Sequence, residues 1–194
     1  MLMEKYEALL KERLSPKRFR HSLGVRDTAL FLAKKFDVDE QAAALAGLLH
    51  DYAREIPARD LLQKAEAFGI VISAADRKSP ILLHSPVGAA LIAAELKVTD
   101  PVIARAISVH TTGMPHMTKL DKIIYLADCI EPNRKYSGVD KLRKKVERGL
   151  DAAVLAAMNH SLIFLIEHDA WIHENTILAR NELLEEIAPL QGAD

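Results

Sequence analysis

His50 and Asp51, at the end of the apolar run Ala46-Gly47-Leu48-Leu49, are the adjacent pair in this 194-residue chain best suited to chemistry. An imidazole and a carboxylate buried there without partners would cost several kcal/mol. A divalent metal removes that cost, because it binds a neutral imidazole and a carboxylate together. The other ligands would then be His, Asp or Glu on other helices. The chain offers His21 before the pair, and His84, His110 and Asp128 after it. Two histidines with Asp51 and Asp128 make a mixed N/O set, which suits iron, manganese or cobalt rather than a thiolate-rich structural zinc. Taken singly, each histidine reads as a satisfied structural residue. Their order along one chain makes them a candidate site.

Composition limits what kind of protein carries this set. Hydrophobic content of 49% and charged content of 27% are ordinary for a globular chain, and 194 residues suffice to bury a sizeable core. A formal net charge of −1 gives no long-range attraction, so neither nucleic acid nor membrane is expected as a partner. The single cysteine, Cys129, excludes an internal disulfide framework and fits a reducing, cytoplasmic location. Within its apolar helix it reads as core. Met1-Leu2-Met3-Glu4-Lys5-Tyr6 lacks a signal peptide's charged start and apolar run. No window reaches the roughly 20 apolar residues of a membrane span.

The elements that must position these residues all read as helices. Leu2 to Leu14 predicts a short amphipathic helix. Ser15 as cap and Pro16 at the first helical position predict a second, to about Phe36. On it His21, Val25, Ala29 and Leu32 recur at helical spacing, so His21 points inward. Asp39 caps a third helix, which ends at His50-Asp51. Pro57 begins a fourth, to Phe68, stopped by Gly69. Ile70-Val71-Ile72 is too short to seed a sheet and reads as a buried connection. Ser79-Pro80 predicts a helical turn leading to His84. Ser85-Pro86 and Asp100-Pro101 each open a further helix, over Val87–Leu96 and Val102–Val109. Thr111 to Pro115 is a loop. Thr118 with Asp121 resembles a capping box for a helix over Leu120–Ile130, closed by Pro132. From Asp140 or Lys141 a long stretch, broken at Gly149, reaches about His168. Asn175 or Thr176 caps the last helix, to Ile187, and Pro189 starts a polar tail. No linker, repeat or low-complexity segment intervenes. The expectation is an all-α single domain of about nine or ten helices.

His116, in a Gly/Pro loop, reads as solvated or as lining the site, while His160, His168 and His173 have no comparable ligand series around them and read as surface or structural residues. So does the second His-Asp dipeptide, His168-Asp169.

His21, His50-Asp51 and Asp128 resemble the H…HD…D pattern of the HD-domain metal-dependent phosphohydrolases. The chain is more specifically similar to the YqeK-type bacterial HD hydrolases. The likeness lies in Arg18-Phe19-Arg20-His21-Ser22-Leu23-Gly24-Val25, His50-Asp51-Tyr52-Ala53-Arg54, His84-Ser85-Pro86-Val87-Gly88-Ala89 and His110-Thr111-Thr112-Gly113. It is longest over Met117 to Asp128, continued by Ile130-Glu131-Pro132-Asn133-Arg134. Arg54 stands where Lys is common, and Cys129 where an aromatic is usual. The resemblance covers about residues 15–145. It implies a single HD domain over 1–194, a helical bundle with a metal site between core helices and C-terminal helices 146–188 packed on it. The implied activity is symmetrical hydrolysis of diadenosine tetraphosphate (Ap4A) to two ADP, with an HD hydrolase of another nucleotide, or an HD module that senses a nucleotide without turnover, as the alternatives.

On that resemblance, His21, His50, Asp51 and Asp128 would hold one divalent metal, with iron expected and manganese or cobalt as alternatives. Such an ion makes hydroxide available near neutral pH and polarises a phosphoryl oxygen. His84 and His110 would face the phosphates, one of them protonating the leaving oxygen. The less favoured arrangement has them ligating a second metal with Asp51 bridging. Arg18 and Arg134 are the expected phosphate clamps, because a guanidinium forks onto two oxygens. Thr111 offers a hydroxyl and a backbone N–H. Arg54 reads equally as a phosphate contact or a solvated helix-end residue, and Arg20 as surface. Lys135 and Tyr136 are candidates to border the nucleoside. The aliphatic stretch of Leu162, Phe164, Leu165 and Trp171 would pack internally or against a second subunit, so a homodimer stays open.

Overall fold

Side chains that accept from free N–H groups set five of the helix starts, four of them at caps the sequence implies. The computed structural model describes residues 2–187. Ala188 and the tail from Pro189 lie outside the described residues. After α1 (Leu2–Arg13), Ser15 accepts from the Arg18 N–H and Pro16 opens α2 (Pro16–Phe36). Asp39 accepts from the N–H groups of Gln41 and Ala42 and starts α3 (Glu40–Leu49). Pro57 precedes α4 (Ala58–Ala67). Asp100 and Thr118 cap two later helices in the same way.

Several details differ from expectation. Ser73 and Asp76 form a reciprocal capping box around a short helix, α5 (Ala74–Lys78), that the sequence reading passes over. A 3-10 turn (Pro80–Leu83) leads straight into α6 (His84–Leu91), so Ser85 is not its cap. Its hydroxyl donates to the Leu82 carbonyl instead. A π-helical turn (Ile92–Leu96) follows, ended by Lys97 at φ 61°. In the Ile70–Ile72 connection Val71 is 91% exposed, and only Ile70 and Ile72 pack on the core. Then come α7 (Pro101–Val109), α8 (Lys119–Ile130), α9 (Val139–Lys145) and a 3-10 turn (Val146–Arg148). Gly149, at φ 113°, breaks the chain before α10 (Leu150–Glu167), and α11 (Glu174–Ile187) begins just ahead of the expected caps. The described residues therefore hold eleven α-helices and no strand.

Helix α8 is the axis. Nine of its twelve residues are buried, and it packs against α2, α3, α7 and α10. A helix buried against neighbours on several sides, with even Asp121 and Lys122 covered, stands at the centre of the bundle. One hydrophobic cluster runs from Tyr6 on α1 through Leu32, Leu49, Ile107 and Ile124 to Leu183 on α11. Gly47 lets α2 and α3 close up, since a Cβ there would sit 3.0 Å from the Arg26 Cα and 3.1 Å from the Val25 carbonyl. Helix α10, with mean hydropathy 1.4 over 18 residues, is by length and composition apolar enough to cross a bilayer. Here it packs against α8, α9 and α11.

Because the Thr118–Asp121 box closes the N-terminus of the central helix, Thr118→Ala should cost about 1 kcal/mol. A thermal melt should show it as a Tm lower by about 2–4 °C for a chain of this size.

Candidate metal centre

Four histidine side chains meet where α2, α3, α6 and α7 converge on α8. His50, His84 and His110 share one local device. Each stands at a helix end and turns its Nδ1 onto the carbonyl three residues earlier: His50 onto Gly47 at 2.8 Å, His110 onto Ile107 at 2.7 Å and His84 onto Ile81. Carbonyls at helix C-termini lack intrahelical partners, so they accept this bond readily. A carbonyl cannot donate, so Nδ1 carries the proton and Nε2 presents a bare lone pair. His21 reaches the same state from the middle of α2. Its Nδ1 donates to Glu131 Oε1 at 3.0 Å.

Those Nε2 atoms point at one another. His21 and His50 Nε2 are 3.2 Å apart, and His84 and His110 Nε2 are 3.1 Å apart. Two carboxylates stand between them. Asp51 Oδ2 lies 3.6 Å from His21 Nε2 and 3.5 Å from His50 Nε2, while Asp128 Oδ1 lies 2.9 Å from His21 Nε2. The other oxygen, Asp51 Oδ1, faces His84 Nε2 at 3.2 Å. All four histidines and Asp51 are buried. Facing lone pairs beside carboxylates repel unless a cation or proton is shared among them. Neutral imidazole and carboxylate are also the donor types that hold iron, manganese, cobalt or zinc. The residues fit a divalent metal.

Electrostatics point the same way. Burial opposes charge on His50, yet Asp51 and Asp128 outweigh it and raise its pKa. Burial likewise opposes charge on Asp51 and Asp128. His50 and His84 nevertheless hold the first well below the usual carboxylate range, as His21 and Arg134 do the second. Positive charge is favoured at the centre of the cluster. His110 is the exception: burial and the neighbouring His50 and His84 push it down to about 3.

The rim is cationic. Arg18 Nη1 is 3.0 Å from Asp51 Oδ2, and Arg134 pairs with both the carboxylate and the main-chain carbonyl of Asp128. Arg54 is half-buried nearby, and its pKa is lowered by burial and by Arg18 and Arg134. Three guanidiniums that feel one another next to solvent make a natural landing place for an anion. Thr111 Oγ1 lies 3.3 Å from His110 Nε2 and 3.5 Å from His84 Nε2.

Every ligand candidate and Thr111 thus come together, while other candidates do not. Arg20 and Lys135 are exposed. Tyr136 stacks on His160 at 4.9 Å and donates to the Cys129 carbonyl. His116 is exposed and pairs with Glu182, His168 stacks on Phe164, and His173 is tied to Ser73 and Asp76. Asp121, a turn before Ile124, bonds Arg105 and its capping partner rather than the cluster.

Glu131 is the residue that sequence reasoning missed. It is buried, orients His21, and accepts from the Asn133 backbone and side-chain N–H groups at 2.7 and 2.9 Å. Gly24 makes room for it, since a Cβ there would lie 2.4 Å from Glu131 Oε2. The signal was an acid directly after a buried helix, but its partner lies 110 residues away in sequence.

The match to the HD domain family model spans residues 18–133, so the chain belongs to the HD domain family. Within it the chain falls in the YqeK-type branch that its sequence resembles. It is 38% identical to the symmetrical bis(5'-nucleosyl)-tetraphosphatase of Bacillus subtilis, across 94% of this chain and 98% of that protein. Identity to the protein of the same name from Staphylococcus aureus is 36%, over 91% and 92% of the two chains. The crystal structure of a predicted HD superfamily hydrolase involved in NAD metabolism from Clostridium acetobutylicum superposes with a TM-score of 0.91. It is 38% identical and covers 95% of this chain and 97% of its own.

Glu131→Gln should lower affinity for a divalent ion roughly 10–100-fold by disturbing the orientation of His21, as a metal titration would show. A second outcome concerns acid. His110 sits near 3 in the fold against an ordinary 6.5, so between these values the unfolded chain binds the extra proton. Its contribution to stability is therefore complete above pH 6.5 and is lost as pH falls toward 3. Raised His50 offsets part of this. Chelator-treated His110→Gln should accordingly lose less melting temperature than treated wild type between neutral and acid pH.

Proposed function

We propose that this chain is a single-domain, metal-dependent hydrolase that cuts diadenosine tetraphosphate symmetrically into two ADP. The observation that carries this reading is the cluster itself: bare imidazole nitrogens and two carboxylates, with three arginines at the rim. Polyphosphate is the anion such a rim suits, and the named relatives are symmetrical tetraphosphatases over nearly the whole chain.

His21, His50, Asp51 and Asp128 would hold one divalent metal, iron in the first place, with manganese or cobalt compatible with the same donors. The metal supplies hydroxide near neutral pH and a Lewis acid toward phosphoryl oxygen. Arg18 and Arg134 would grip the phosphate chain, with Arg54 beside them, and hold the central bridge over the cluster. Water adds to one inner phosphorus, the bond to the central bridging oxygen breaks, and ADP leaves. His84 and His110 face each other through Nε2, so a single proton satisfies both lone pairs. The pair would pass that proton to the leaving oxygen, with the Thr111 hydroxyl alongside. A second reading puts a second ion on His84, His110 and Asp51 Oδ1, favoured by the 3.2 Å contact between His84 and that oxygen. Metal analysis separates the readings, at one or two equivalents per chain. The substrate is a small nucleotide in either case. A net charge of −1 gives no long-range attraction to nucleic acid, and a nucleotide substrate fits a cytoplasmic enzyme.

Assay of the metal-loaded protein on Ap4A, with products resolved by chromatography, should give ADP alone. Appearance of AMP with ATP would sink the symmetrical reading. Asp51→Ala should remove the bound metal and cut kcat/KM at least about a thousandfold, corresponding to roughly 4 kcal/mol of transition-state stabilisation.

A further inference from the structure

Thr111, whose hydroxyl touches His84 and His110, also forms part of the wall of a cavity of about 110 Å³. The far wall comes from the C-terminal helices, which the metal cluster does not use. Leu82, Leu165 and Trp171 give it apolar surface, and Ser161 and Tyr125 give it hydroxyls. Tyr125 is buried within α8, so that part of the wall is held in place. Trp171 is 54% exposed and marks the mouth.

The chemistry of this lining is unlike that of the rim. Among the described residues that line it there is no carboxylate, lysine or arginine. Arg18 lies on the other side of Asp51, at Oδ2, and Arg134 sits on Asp128 beside His21, while Thr111 and the His84–His110 pair stand on the Oδ1 side. A nucleotide laid across the centre would therefore put its charge toward the arginines and its uncharged end toward the cavity. The volume is well below the roughly 300–1,000 Å³ that encloses a drug-sized ligand whole. It suits one heterocycle. A nucleobase has a π face for an indole and a polar edge for hydroxyls, the two features this wall provides.

We propose that the cavity receives the nucleobase of one ADP half of the substrate, with Trp171 as the stacking platform at its mouth. The proposal rests on the nucleotide-hydrolase reading above and goes further by assigning specificity to α10 and the segment that follows it. It relocates the nucleoside from Lys135 and Tyr136, the second of which is already engaged with His160 and the Cys129 carbonyl. One base is held per chain, and the other nucleoside lies beyond the arginines.

Trp171 is the sole tryptophan, so emission excited beyond the tyrosine absorption band reports on the cavity mouth. Titrating the wild-type enzyme with ADP should change the emission saturably. Inorganic pyrophosphate, which has the phosphates and no base, should compete with substrate yet leave the emission unchanged. Trp171→Ala should raise KM for Ap4A about tenfold, the order expected of one stacked base, and affect kcat much less. Its inhibition by pyrophosphate should stay within about twofold of wild type, since the arginines are untouched. Silent fluorescence at ADP concentrations that inhibit turnover, or an unchanged KM in Trp171→Ala, overturns the cavity assignment and leaves the hydrolase standing. Absence of Ap4A turnover by wild type overturns the hydrolase instead, and the ADP and pyrophosphate titrations still decide the cavity.

Discussion

Lone pairs on four imidazoles, aimed at one another and at two carboxylates inside a helical bundle, are the constraint around which this protein is built. Such a grouping is unstable by itself, because burial strips away the water that would otherwise separate like with like. It persists because every ring is fixed from behind. Three rings are held by helix-end carbonyls and the fourth by Glu131. The remedy for free carbonyls at helix ends is thereby also what aims three of the Nε2 atoms into the cluster.

The surrounding architecture follows from the need to hold those helix ends together. Helix α8 has little polar surface to show to water, and α2, α3 and α7 gather around it, so that His21, His50 and His110 converge beside Asp128. Close packing is enforced where backbone must approach backbone or carboxylate. Gly47 serves the α2–α3 contact, and Gly24 leaves the space that the Glu131 carboxylate fills. Rigid helices are a better base for such a site than loops, since a ligand displaced by a fraction of an ångström no longer shares the cation.

Charge is divided across the molecule in a way that matches a nucleotide. Arg18 stands at one oxygen of Asp51 with Arg134 on the neighbouring Asp128, and beyond the other oxygen lies a hydroxyl-bearing cavity with no carboxylate, lysine or arginine in its lining. The centre itself favours positive charge, as the raised His50 and the strongly ionised Asp51 and Asp128 indicate. A polyphosphate with a base at its end meets each region with the complementary part.

Much of this was legible in the sequence. Capping side chains and prolines are local signals, so Ser15-Pro16, Asp39, Asp100-Pro101 and Thr118 placed helix starts with little error. The ligand candidates His21, His50, Asp51 and Asp128 were visible because polar groups on apolar helical faces need a reason to be there. Local signals failed where a residue had two local options: Ser85 satisfies a carbonyl behind it instead of capping ahead, and the Ser73–Asp76 box encloses only one short turn. Only the tertiary structure decided which atoms meet. That Glu131 stands behind His21, that Asp51 turns one oxygen to each histidine pair, and that Trp171 stands at the mouth of a cavity walled by Thr111 all depend on contacts between distant segments. Periodicity tells which side of a helix turns inward. It carries no information about what will be waiting there, because that is set by how the helices pack.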